Sequence, residues 1–333
     1  MNYTMTLHGA NPRNLFRAFN IEVPEKIIDF STNTNVLSWP EINLDIERLA
    51  SSYPDPECSR LREIISVREE IPVSKILFTN GINEAIFVLA GLFGDRTAIF
   101  QPCYTEYSRA FANAQSIFSL EYAGNFRHVI ICNPNNPTGR FIPDLSKVIK
   151  SYPETIFIID EAYIDFLTNY EPERLAEFPN AVILRSLTKI FHLSGARIGY
   201  VIADEKIIDS MRARLPSWNV NAFAQELALK FLLDNKFYLK TREFYSKNVP
   251  EFMENLRFSE FDVIDSDVHY FLVRVRDDGE IIRHLLTRGI VVRHTRNFAG
   301  LEGKFIRVAT RLPDENEFFL KAMKGITPHN LRY

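Results

Sequence analysis

The sequence predicts an α/β protein, with a mostly parallel sheet covered on both faces followed by a smaller α+β unit. Two observations predict it. Short runs that are apolar at almost every position recur at 76–79, 97–100, 129–132, 155–159, 181–184 and 198–202. Helix-like segments such as 83–93 and 104–114 separate most of them. Strands without polar alternation are buried on both faces, and their alternation with helices is the pattern of a parallel sheet. In such sheets ligands bind beyond the carboxyl ends of the strands.

From 207 to 258 the pattern is mostly helical, with an apolar stretch over 224–233 and a charged amphipathic one over 238–254. Shorter strand-like pieces follow at 269–273, 290–293 and 305–309, with a helix over 279–287. No internal repeat and no Gly/Ser-rich linker marks a boundary, so the two units are separated by pattern alone.

Composition narrows the function classes. The chain has 333 residues, 46% of them hydrophobic, enough for a large core and two domains. Its 39 basic and 42 acidic residues are well mixed and leave a net charge of −3, which offers no basic field to nucleic acid or to an anionic membrane. The first residues lack a basic start and apolar core, and no apolar run is long enough to span a bilayer, so a cytoplasmic protein is expected. Cys58, Cys103 and Cys132 are widely separated, so neither a disulfide framework nor a metal site is expected.

The stretch 186–200 carries the chemistry. Lys189 lies just beyond the apolar run 181–184, flanked by the hydroxyls of Ser186 and Thr188, with Arg197 eight residues on. A lone lysine after a strand is ordinarily a solvated loop residue. Buried at a strand end, it loses its proton more easily and can attack a carbonyl, while two hydroxyls and a guanidinium can hold a phosphate. Pyridoxal 5′-phosphate combines that aldehyde and that phosphate. Upstream, Asn80-Gly81 joins a strand to a helix; Asn-Gly is mainly a turn signal, though the free N–H groups of a helix start can suit an anion. Tyr104 follows the next strand, the turn 133–139 the one after, and Asp160 ends a fully apolar run, where an acid needs a cationic partner.

Read as strings, Ser186-Leu187-Thr188-Lys189 with Gly195, Arg197, Gly199 and Tyr200, and Asn133-Pro134-Asn135-Asn136-Pro137-Thr138-Gly139, resemble the motifs of the fold-type I pyridoxal-phosphate-dependent aminotransferase superfamily. The resemblance covers nearly the whole chain. It implies that Lys189 bonds the cofactor, that Gly81, Ile82, Asn83, Ser186, Thr188 and Arg197 hold its phosphate, and that Tyr104 stacks on its ring. Asn136 and Tyr163 would contact the phenolic oxygen, and Asp160 the ring nitrogen. It also implies a large domain over 26–239 and a small domain of 1–25 plus 240–333. Tyr53 would reach a partner subunit's cofactor in a homodimer with shared sites.

With His8-Gly9-Ala10-Asn11, Asp29-Phe30-Ser31-Thr32-Asn33-Thr34-Asn35, Tyr53-Pro54-Asp55-Pro56 and Leu61-Arg62, and with Arg293, the chain resembles within the superfamily the branch of histidinol-phosphate aminotransferases and L-threonine-O-3-phosphate decarboxylases of cobalamin biosynthesis. On that resemblance Arg307 binds a substrate carboxylate and Arg293 its phosphate, with His8 and Asn33 as further substrate residues, while Arg311 is expected to be a surface charge. Ala10 departs from the His-Gly-Gly-Asn string usual in the decarboxylases. Decarboxylation of threonine phosphate is the first expectation, transamination of a histidinol-phosphate-like amine the second, and a non-catalytic cofactor-binding protein the alternative of another class.

Overall fold

The computed structural model describes residues 9, 11–324 and 326. Among them twelve strands follow in chain order: β1 Ile28–Asp29, β2 Ile76–Thr79, β3 Thr97–Phe100, β4 Gln115–Ile117, β5 His128–Cys132, β6 Ile156–Asp160, β7 Ala181–Ser186, β8 Gly199–Ile202, β9 Tyr270–Arg274, β10 Ile290–Val291, β11 Arg293–His294 and β12 Phe305–Ala309. Seven form one sheet in the order β2-β8-β7-β6-β5-β3-β4. From β4 to β7 all neighbours are parallel, whereas β8 is antiparallel to both of its own. The run expected at 198–202 is thus the exception in the sheet. Its connection from β7 is a one-turn helix, Leu187–Ile190, and a loop, with no crossover helix to carry the chain back for a parallel return.

Both faces of this sheet are apolar, as the unbroken hydrophobic runs require. Along β6, Phe157 and Ile159 enter one cluster and Ile158 another; along β7, Ile183 enters the first and Val182 and Leu184 the second. Leu61 and Ile65 of helix Ser59–Glu69 cover the first face, and Ala85, Ile86 and Leu89 of helix Gly81–Phe93 the second. Each of the Leu, Ile, Val and Phe side chains contributes about 1.5–3 kcal/mol when fully buried.

The helix expected at 104–114 contracts to Glu106–Ala110, and β4 takes the residues after it at the sheet edge. Two of the three β4 residues are exposed, so no apolar run announced the strand. Helices Glu205–Arg212, Ala222–Leu233 and Asn235–Phe258 fill the region read as helical, the last two capped by the side chains of Asn221 and Asp234. Helix Asn235–Phe258 is continuous through residues 239 and 240.

Beyond it, β11, β12 and β9 form an antiparallel sheet, and β1 pairs in parallel with β10. Residues 28–29 therefore join the carboxyl-terminal part of the fold. Among the described residues no helix is long and apolar enough to cross a membrane, and no group of three or more His, Cys, Asp or Glu side chains could hold a metal ion.

Candidate active site

A cavity of about 210 Å³ opens at the carboxyl ends of the parallel strands. Strand ends and the turns after them supply its walls: Ile82 and Asn83 after β2, Tyr104 after β3, Asn136 after β5, Asp160 and Tyr163 at and after β6, Ser186, Thr188 and Lys189 at and after β7. Arg197, Arg293, Arg307 and Asn33 complete it. Most of the residues singled out from the sequence thus meet in one place. Tyr53 does not: it is 82% exposed and lines a separate surface pocket, with its ring 4.7 Å from that of Trp218. His8 and Ala10 lie outside the described residues.

Burial lowers the Lys189 amine to about 8; the guanidiniums of Arg307 and Arg197 push the same way and Asp160 opposes them. Its Nζ donates to Asn33 Oδ1 at 3.3 Å. Close by, Ser186 Oγ and Thr188 Oγ1 are 2.7 Å apart, and Asn80 places no side-chain cap on the helix that begins at Gly81. Gly81 has a φ of +70°, and a Cβ there would stand 2.7 Å from Arg197 Nη2. The glycine therefore lets the guanidinium lie against the helix start, forming a cradle of hydroxyls, N–H groups and a cation suited to a phosphate. Arg197 itself donates to the carbonyl of Ser194 at 2.9 Å.

At the deep end, Asp160 is buried, and burial raises its carboxyl above the usual range. Tyr107 opposes that shift by donating its hydroxyl to Asp160 Oδ2 at 2.5 Å, and the N–H of Ala162 donates to Oδ1 at 2.9 Å. Tyr107 lies in helix Glu106–Ala110, where the sequence offers no sign of a contact with Asp160. The helix containing it is short, and no spacing signal links positions 107 and 160.

Arg293 and Arg307 are cross-strand partners on β11 and β12, each 4% exposed and each lining the cavity. Burial lowers both, Arg293 to about 9, and Arg307 adds to the shift at Arg293. Arg293 Nη2 donates to Asn297 Oδ1 at 2.8 Å and its guanidinium lies 5.1 Å from the ring of Phe298, a further cavity residue. Arg307 donates to Asn136 Oδ1 and to the carbonyl of Ser31, both neutral acceptors; its Nε has no partner among the described residues. Arg311 corrects its reading as a surface charge: it is held by Glu315 at 2.9 Å and donates to the carbonyl of Asp29 at 3.0 Å.

The cavity pairs an amine that can lose its proton near neutral pH with a cradle suited to a phosphate. The model of the family described as aminotransferase class I and II matches residues 48–321, and the chain belongs to that family of pyridoxal-phosphate enzymes. It is 32% identical to the threonine-phosphate decarboxylase of Salmonella typhimurium, over 96% of each protein. It is 29% identical to the adenosylcobalamin biosynthesis bifunctional protein CobDQ of Leptospira interrogans over 96% of this chain, which spans only 41% of that longer protein. Among solved structures, the histidinol-phosphate aminotransferase of Clostridium acetobutylicum superimposes with a TM-score of 0.83 at 28% identity, covering 90% of this chain and 98% of the other.

Proposed function

We propose that this enzyme decarboxylates L-threonine O-3-phosphate to aminopropanol phosphate, as in cobalamin biosynthesis. The observation that carries the reading is the pair of buried guanidiniums, Arg293 and Arg307, set opposite each other in the cavity of Lys189. Two cations within reach of one amine suit a small amino acid with a carboxylate and a phosphate. Similarity to the Salmonella decarboxylase supports the same choice.

When bound, pyridoxal phosphate supplies an electron sink for the bond broken at the substrate's Cα. Ser186, Thr188, Arg197 and the helix start at Gly81, Ile82 and Asn83 would hold its phosphate. Tyr104 would cover its ring, Asn136 and Tyr163 would contact its phenolic oxygen, and Asp160, ionised with the help of Tyr107, would pair with its ring nitrogen. On the substrate, Arg307 orients the carboxylate and Arg293 the phosphate. Lys189 then returns a proton to Cα in place of the lost carbon dioxide. Tyr53, exposed and outside its own cavity, would serve the partner's site in a homodimer.

A second reading is transamination of histidinol phosphate or a related amine, which the likeness to the Clostridium enzyme favours. There Lys189 would shift a proton between Cα and the cofactor instead. Product analysis separates the two. With threonine phosphate and no keto acid, the purified enzyme should release carbon dioxide and aminopropanol phosphate; amino transfer to 2-oxoglutarate without carbon dioxide would overturn the decarboxylase reading. Arg307→Ala and Arg293→Ala should each reduce kcat/KM by about 2–5 kcal/mol while the cofactor's visible absorbance is kept.

A further inference from the structure

Behind the cavity wall stands a histidine that the chemistry above does not use. His269 is fully buried, its ring stacked on Phe166 at 3.7 Å between centroids, with Tyr245 at 5.1 Å and Tyr163 at 6.1 Å. Its own carbonyl accepts from the N–H of Thr310 at 2.7 Å, so ring and backbone are both held. Nε2 lies 2.9 Å from the backbone carbonyl of Asn33. A carbonyl only accepts, so Nε2 carries the proton. Nδ1 has no hydrogen-bond partner among the described residues, and burial, with the cations of Lys189 and Arg307 nearby, drives the ring down to about 3. The neutral imidazole has one N–H, and it is committed to Asn33.

Asn33 uses both ends of its carboxamide. Nδ2 donates to Tyr163 Oη at 2.5 Å, and Oδ1 accepts from Lys189 Nζ at 3.3 Å. Because Tyr163 Oη accepts there, its own hydrogen is left to donate into the cavity. We propose that His269 is a positioning residue that acts through Asn33, holding its backbone carbonyl so that the carboxamide beyond it keeps one end on the Lys189 amine and with the other turns the Tyr163 hydroxyl toward the cofactor. Asn33 Oδ1 is then the resting place of the Lys189 amine whenever that amine is not joined to the cofactor. The inference rests on the reading of Lys189 as the cofactor lysine and assigns a role to a residue that makes no contact with cofactor or substrate.

The test is a double-mutant cycle on the holoenzyme with His269→Phe, Asn33→Ala and both together, read by kcat, KM and the pH midpoint of the cofactor's visible absorbance. Phenylalanine keeps the stack on Phe166 and loses the donor. It should lower kcat by about 10-fold with little change in KM, the scale of one lost hydrogen bond. The absorbance midpoint should move up, since the phenolic oxygen loses an oriented donor. His269→Gln, whose amide N–H reaches the same carbonyl, should restore both. In the Asn33→Ala background the phenylalanine substitution should add nothing. Additive losses, or an unchanged midpoint in His269→Phe, would overturn the proposal. Should the phenylalanine variant not fold, His269→Asn, too short to reach the carbonyl, takes its place with the same expectations. A wild-type enzyme without visible absorbance would overturn the cofactor reading and this proposal with it; a normal wild-type spectrum with additive losses overturns this proposal alone.

Discussion

At Lys189 the environment does to an amine what water would not. With the amine lowered from 10.5 to about 8, its neutral fraction rises through pH 8, so capture of pyridoxal phosphate by the cofactor-free protein should accelerate with pH about that midpoint. Arg307→Ala removes a cation that depresses the amine, and stopped-flow absorbance should find the midpoint moved up. Tyr107 acts on the opposite end of the cavity. Burial raises Asp160 and the Tyr107 hydroxyl counters it, so Tyr107→Phe raises the carboxyl further and protonates it at a higher pH. The acid limb of the kcat profile should move to higher pH, with a loss of about 1.5–3 kcal/mol for a hydrogen bond to a charged group. An unmoved acid limb would show that Asp160 does not need that hydroxyl.

The strands that end in Asp160 and Ser186 carry a second charge arrangement on the side away from the cavity. Glu161 and Arg185, next in the chain to those residues, pair at 2.6 Å and line another pocket, with Glu69 3.8 Å from the guanidinium. Burial raises Glu161 from 4.5 to about 7, opposed first by Arg185. A carboxyl raised on folding contributes stability below its unfolded value that is lost as pH rises through the folded one, here between 4.5 and about 7. Arg185→Met leaves the acid without its cation and should cost about 3–5 kcal/mol once it ionises. Denaturant melts should therefore show a larger loss at about pH 8 than at about pH 6. Equal losses at both would mean that the carboxylate finds another partner.

For the whole molecule the proposed homodimer makes a sharp demand, because Tyr53 is exposed in a pocket of its own while most of the other proposed cofactor residues line the cavity of Lys189. Mixing inactive Lys189→Ala with inactive Tyr53→Ala should regain about a quarter of wild-type activity by statistical pairing of a two-fold dimer, since one site of each hybrid has both residues. No recovery, with a dimer mass in light scattering, would sink the trans role of Tyr53. Two features cut across the proposed division into 26–239 and 1–25 plus 240–333: helix Asn235–Phe258 runs through its boundary, and β1, assigned to the large domain, pairs with β10 of the small one. Truncation at residue 239 would cut that helix.

What the sequence determined by itself was local. The apolar runs of β2, β3 and β5 to β7 could only be buried on both faces, and Asn133–Gly139 and Ser186–Tyr200 resemble the family's motifs closely enough to point to the cofactor within single stretches. What only the tertiary structure decided is long-range or directional. The reversal of β8 depends on a connection without a crossover helix, and the edge strand β4 lacks the buried run that would mark it. Tyr107 reaches Asp160 across 53 positions and His269 reaches Asn33 across 236, by contacts that no periodicity records. Arg293 and Arg307 were each legible as cations, but their meeting in one cavity follows from antiparallel register, which places facing residues on the same side of a sheet.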